Sequence, residues 1–181
     1  MRVFTVLVLL IVCGLVSGAA VGASDNHVLI RHGKLDEARE ALDRLTRDAA
    51  RTGNNQYFRA MLESDGRRSA EFLESALKKS PDENYREEII LRLAQYYTIK
   101  GEYQSVAAVV DARKASGLPT ARLRALAEEL TGSEDAARTR TDGLLKSGGS
   151  AEQKQWVSID QARLLLASEK RKAARTTLQS L

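Results

Sequence analysis

Cysteine is nearly absent from this chain. The only one, Cys13, sits inside an apolar N-terminal run. Once that run is removed no thiol is left, which excludes disulfides, thiolate catalysis and cysteine-bound metal and leaves packing as the source of stability. Two prolines in 181 residues argue against a loop-rich fold, and an aromatic share of 5% argues against a sandwich or barrel. Histidine is equally scarce. His27 and His32 stand five apart, whereas a metal pair on one helix face needs four, and no third ligand lies near them.

The motifs of catalysis are missing as well. No glycine-rich phosphate loop is present, since Gly148-Gly149-Ser150 has no following Lys-Ser/Thr and reads as a turn. There is no G-x-S-x-G elbow. Neighbouring acids such as Glu87-Glu88 and Glu128-Glu129 point to different faces of a helix and cannot converge on one substrate. The expectation is a protein without catalytic activity, metal or cofactor.

Charge excludes another class. The chain has 28 basic and 24 acidic residues, a net +4 that falls to +3 when Arg2 leaves with the N-terminal run. That excess is too diffuse for a nucleic-acid binder. Arg67-Arg68 and Lys170-Arg171-Lys172 read as solvated charges at turns.

Residues 1–23 read as a secretory signal: one basic residue, an apolar centre, then small residues ending Val21-Gly22-Ala23, with cleavage before Ser24. A rival reading is an uncleaved anchor, because an uncharged stretch from Val3 to Ala23 reaches the about 20 residues that span a bilayer. Contact with a membrane is expected only through this segment. Acylation of Cys13 is disfavoured by Val12 before it and by the apolar run after it. An exported chain without cysteine, and without an Asn-x-Ser/Thr acceptor, points to a bacterial periplasm or cell envelope.

What is present is helical periodicity. No period-two alternation occurs, so strands are not expected. Glycines recur at Gly33, Gly66, Gly101 and Gly132, spaced by 33, 35 and 31, and a fifth turn without glycine is expected near Ser168-Glu169. Apolar stripes flank each turn: Ala38, Leu42 and Leu45; Tyr57, Phe58, Met61 and Leu62, then Phe72, Leu73, Ala76 and Leu77; Leu123, Leu126, Ala127 and Leu130; Trp156, Ile159, Ala162, Leu165 and Leu166. Trp156 and Ile159 read as core. Ser150 with Gln153 forms a capping box, and Ser80, Ser133 and Asn55 read as N-caps.

The stretch Glu87 to Gly117 is the most explicit. Ile90, Leu93, Ala94, Tyr97, Gly101 and Tyr103 follow the pattern of bulky, Leu, small, Tyr, then Gly and an aromatic at the turn. This resembles the tetratricopeptide repeat, a helix–turn–helix unit of about 34 residues. The resemblance is strong over this unit and extends by period over roughly Asn26 to Leu181. It implies an all-α fold, a right-handed α-solenoid of antiparallel helix pairs over residues 24–181, with about four to five pairs. It further implies a scaffold that binds a protein or peptide on a concave face lined by the first helix of each pair. In the best unit that face would carry Glu88, Leu91, Arg92 and Gln95. The period adds Arg59, Arg122 and Arg163, whose guanidinium groups would grip carboxylates. The apolar stripe running to Leu178 and Leu181 suggests a docking end for a downstream segment, a second copy or a partner.

Overall fold

The structure, a computed structural model, describes residues 23–112, 117–147 and 149–180. The expected leader up to Gly22, Cys13 included, lies outside them, as does Leu181. Ten α-helices and no strand occur among the described residues. In chain order they are α1 (Ala23–Arg31), α2 (Leu35–Asp43), α3 (Gly53–Leu62), α4 (Gly66–Lys78), α5 (Glu83–Lys100), α6 (Tyr103–Ala112), α7 (Leu118–Leu130), α8 (Glu134–Lys146), α9 (Ala151–Ala167) and α10 (Arg171–Gln179). No helix among the described residues is long and apolar enough to cross a membrane. The substantial contacts run between each helix and the next, and between α1 and α3, α3 and α5, α5 and α7, and α7 and α9. The odd-numbered helices thus form one row and the even-numbered helices pack along it.

Four of the turns within pairs share one geometry. Gly33, Gly101 and Gly132 adopt φ values of 73°, 75° and 81°. The N–H of the following residue reaches back five positions: Lys34 to the Leu29 carbonyl at 2.9 Å, Glu102 to Tyr97 at 2.8 Å and Ser133 to Glu128 at 2.8 Å. This is the glycine-terminated helix stop, in which a left-handed residue lets the chain satisfy its last carbonyls. The turn expected without glycine repeats it. Glu169 has φ 59°, and Lys170 N–H meets the Leu165 carbonyl at 2.8 Å. A side chain in this region costs about 1 kcal/mol or more. Glu169→Gly should therefore stabilise the chain by about 1 kcal/mol and raise Tm by roughly 2–4 °C; a calorimetric scan showing no rise would refute the strain.

Gly66 departs from the expectation. It is the first residue of α4 rather than a left-handed turn, and the Asp65 carboxylate caps that helix by accepting from Arg68 N–H at 2.8 Å. Two other expected caps are also corrected. Ser80 lies in the loop at φ 50°, and Asp82 stands at the N-cap of α5. Asn55 is the third residue of α3, where Thr52 is the cap, and its amide donates to the Ala49 carbonyl at 2.8 Å. Ser133 occupies the N-cap of α8 without a side-chain bond. The Ser150–Gln153 box is complete, with bonds of 3.2 and 2.9 Å.

The turns set a register for the core. Five residues after each left-handed residue stand Ala38, Val106, Ala137 and Ala174, all buried. Seven residues before stand Asn26, Ala94, Ala125 and Ala162, also buried. Small side chains there let neighbouring helix axes approach closely. Larger apolar groups fill the space between: Phe58, Leu73, Ile89, Ile90 and Leu93 belong to one cluster running from Leu42 to Ala127. Tyr97 completes the third unit half-buried, its hydroxyl donating to Glu74 at 2.7 Å.

Candidate functional site

The row of odd helices opens into a hollow of 480 Å³ between α5, α7 and α9. Leu91 and Gln95 come from α5, Pro119, Arg122, Leu123 and Leu126 from α7, and Asp160 and Arg163 from α9. The register explains the selection. Gln95, Leu126 and Arg163 each precede a left-handed turn residue by six, and Leu91 and Arg122 by ten. These positions point away from the even helices. Four of the expected surface residues, Leu91, Gln95, Arg122 and Arg163, therefore come together.

The other three lie elsewhere. Arg92 lines an adjoining hollow of 240 Å³ with Met61, Tyr96 and Ile99, and Gln95 forms a wall of both. Glu88 accepts from Arg92 Nε at 3.0 Å and from its terminal nitrogen at 2.8 Å, and it also bonds the Tyr57 hydroxyl. Arg59 does not reach this face. It turns between α2 and α4, donates to the Leu42 carbonyl at 3.0 Å and pairs with Asp43 at 3.5 Å.

Trp156 and Ile159 correct the sequence reading. They are 50% and 41% exposed, and Val157 takes the core position instead. The register gives the reason: Val157 precedes Glu169 by twelve, as buried Ile89 precedes Gly101 and buried Thr120 precedes Gly132. Trp156 is thus left on the rim. The Arg122 guanidinium carbon lies 5.4 Å from its ring centroid, a cation–π arrangement. Alternation of apolar residues three apart could not separate these faces. The distance to the turn does.

The groove is electrically self-balanced. Arg122 Nε meets Asp160 Oδ2 at 2.5 Å, Arg163 pairs with Glu129 at 2.5 Å, and Arg92 pairs with Glu88. Each guanidinium already holds a carboxylate of the chain itself. Between them, Leu91, Leu123 and Leu126 are half-buried and face the opening. Gln95 has no hydrogen-bond partner among the described residues, so its amide is available to an incoming peptide group. Among the described residues no three His, Cys, Asp or Glu side chains gather as metal ligands would.

Beside the groove, α1, α3 and α5 bring together His27, Tyr57, Phe58 and Tyr85. The Tyr57 and Tyr85 rings stack at 5.1 Å and His27 lies 5.6 Å from Tyr85. Burial first, then the hydrogen bond and charge of Glu88, push the Tyr57 phenol well above its ordinary range. Burial and the bond to Glu74 do the same to Tyr97. For Glu88, burial pushes the carboxyl up, but hydrogen bonds from Arg92 and Tyr57 outweigh it and the net shift is downward.

These shifts fix the signs of the pH dependence. The raised phenols stabilise the fold fully below their unfolded value of about 10, and that contribution is lost as pH rises towards their folded values. The lowered carboxyl contributes above its unfolded value of about 4.3 and loses it as pH falls through the folded value. Urea midpoints should be flat in the interval between and decline on both sides. Tyr57→Phe should reduce the alkaline decline, and an unchanged alkaline limb would contradict the assignment.

Comparisons with protein families, with characterised proteins and with solved structures find no match for this chain.

Proposed function

We propose that this chain is a non-catalytic scaffold of the tetratricopeptide type: a right-handed solenoid of five helix pairs that holds a protein or peptide partner on its concave face, in a bacterial periplasm or cell envelope. The observation carrying this reading is the alignment of Leu91, Gln95, Leu126 and Arg163 along one groove by a turn register repeated four times. Contacts between successive odd helices support the solenoid arrangement. The internal pairing of the arginines shifts the expected recognition from carboxylates to apolar side chains. A partner carboxylate would have to displace Asp160 or Glu129, whereas Leu91, Leu123 and Leu126 gain contacts when water leaves. An amphipathic helix laid in the groove fits that chemistry.

The test uses a display library of random peptides, selected on the chain and counter-selected on Leu126→Glu. Trp156, the only tryptophan, reports binding at the rim through its fluorescence. Peptides with apolar residues at helical spacing, binding the parent at least tenfold more tightly than the variant, are expected. Selection of no peptide that distinguishes the two would overturn the groove as a binding face. A second reading, a membrane-anchored accessory subunit, rests on the uncharged run from Val3 to Ala23. Mass spectrometry of the cellular protein separates the two, since a chain beginning near Ser24 excludes the anchor.

A further inference from the structure

The outer face of the last helix pair is built as if another pair were to follow. Nine residues after the left-handed turn residue, Leu42, Val110 and Thr141 are all buried to within 3%. The corresponding residue of α10 is Leu178, which is 45% exposed. Ten residues before the turn, Leu91 and Arg122 are half-buried, and Arg122 reaches forward to Asp160 on the next odd helix. The corresponding Ile159 is 41% exposed. Three residues before the turn, Glu129 reaches forward to Arg163, and the corresponding Leu166 is 53% exposed. All three uncovered positions are apolar.

The first pair shows the converse. Five residues before the turn, Ala127 and Leu164 are buried and Tyr96 is half-buried, whereas Val28 on α1 is exposed. Leu35, at the start of α2, is exposed too. One end of the row presents apolar side chains that reach forward, and the other presents apolar positions that receive.

Charge selects the occupant. Helix α10, RKAARTTLQ, carries three cations and no anion, and its cations form no ion pair among the described residues. Helix α2, LDEAREALD, carries four carboxylates and one guanidinium; each carboxylate pairs with Lys34, Arg39, Arg44 or Arg59 yet keeps more than half of its surface in water, open to a further cation. Two α10 faces would repel each other, while α10 against α2 brings unlike charges together. We propose that a second copy of this chain docks head to tail, its α1 and α2 covering α9 and α10 of the first. Because head and tail are different surfaces, the association is heterologous and continues beyond two copies unless geometry closes a ring.

Sedimentation equilibrium on the protein recovered from cells expressing the full sequence tests this. The parent is expected to grow with concentration past the dimer, and less so at high salt. A tail variant (Ile159→Gln with Leu178→Gln) and a head variant (Val28→Gln with Leu35→Gln) are each expected to weaken association at least tenfold. All four positions are exposed, and unchanged far-ultraviolet dichroism serves as the folding control. Mixing the two variants is the decisive step: the intact tail of one meets the intact head of the other, giving a 1:1 dimer that does not extend. A parent that stays monomeric overturns the proposal. So does association that survives the head variant, which would indicate a tail-to-tail contact or a different occupant, and so does a mixture that forms no 1:1 species. Arg171→Glu with Lys172→Glu offers a second, purely electrostatic route and should weaken the parent's association to a similar degree.

Discussion

Gly53→Ala is expected to cost about 2–3 kcal/mol, lowering Tm by roughly 5–10 °C. A methyl group at Gly53 would lie 2.7 Å from Pro81 N, 2.8 Å from Pro81 Cα and 3.1 Å from the Ala76 carbonyl oxygen. All three are backbone atoms, so no side chain can swing aside. The approach is held by Asn54 and Asp82, which bond reciprocally: the Asn54 amide donates to the Asp82 carboxylate at 2.7 Å, and Asp82 N–H donates to Asn54 Oδ1 at 2.9 Å. The start of α3 is thereby pinned to the loop joining α4 and α5. Gly101→Ala is the natural comparison. There the left-handed backbone is the only penalty, because nothing lies within 4 Å of the added carbon, and about 1 kcal/mol is expected. Denaturant titration of both variants decides the matter; if Gly53→Ala proved the milder of the two, close backbone approach would not be what selects glycine at that position.

Glu128→Ala should be at least as damaging, at about 3 kcal/mol. The Glu128 carboxylate is 8% exposed and accepts from Arg140 Nε at 3.0 Å and from its terminal nitrogen at 2.8 Å. It also pairs with Arg124 at 3.0 Å, while Arg124 clasps Asp111 from the other side. The bonds to Glu128 hold the Arg140 proton more firmly than usual. Removing the carboxylate strands the Arg140 guanidinium and leaves Arg124, the less able of the two to reach water, with Asp111 alone. Most of the loss is that stranding rather than the worth of the bridge. A double-mutant cycle exposes the difference. Glu128→Leu with Arg140→Met should recover at least half of the stability lost by Glu128→Ala, and no recovery would mean that the bridge itself contributes most of the energy.

The helical class and the turn at Glu169 were legible from spacing, because a turn that repeats leaves its period in the chain, whereas the packing roles of Ile90, Leu93 and Ala94 came from the repeat resemblance. Leu91, Gln95, Arg122 and Arg163 came from the repeat resemblance and its extension by period, and the structure brings these four to the wall of one hollow. Arg59 does not join them, because the turn between α3 and α4 uses Asp65 and an extended Glu63 rather than a left-handed residue, which changes the register. Trp156 and Val157 were interchanged because hydrophobicity ranks tryptophan as core, whereas the helix phase buries the smaller neighbour. The pairing of Arg122 with Asp160, 38 residues on, leaves no local trace in the sequence. A reading of helix faces sees the arginine and misses the carboxylate that another element brings to it.

The joints between pairs differ in kind. The main apolar cluster stops at Ala127; beyond it Val157, Ala162, Leu164 and Ala174 are buried, and the fifth pair is further fastened to the fourth by Arg122–Asp160, Arg163–Glu129, Gln161–Asp142 and Ser168–Glu134. Polar links of this kind weaken with ionic strength, while oily contacts do not. Amide deuteration should consequently reach α9 and α10 before α5, and added chloride should widen the interval between them. The molecule comes undone from its carboxyl end like a zip whose last teeth are held by salt-sensitive clasps.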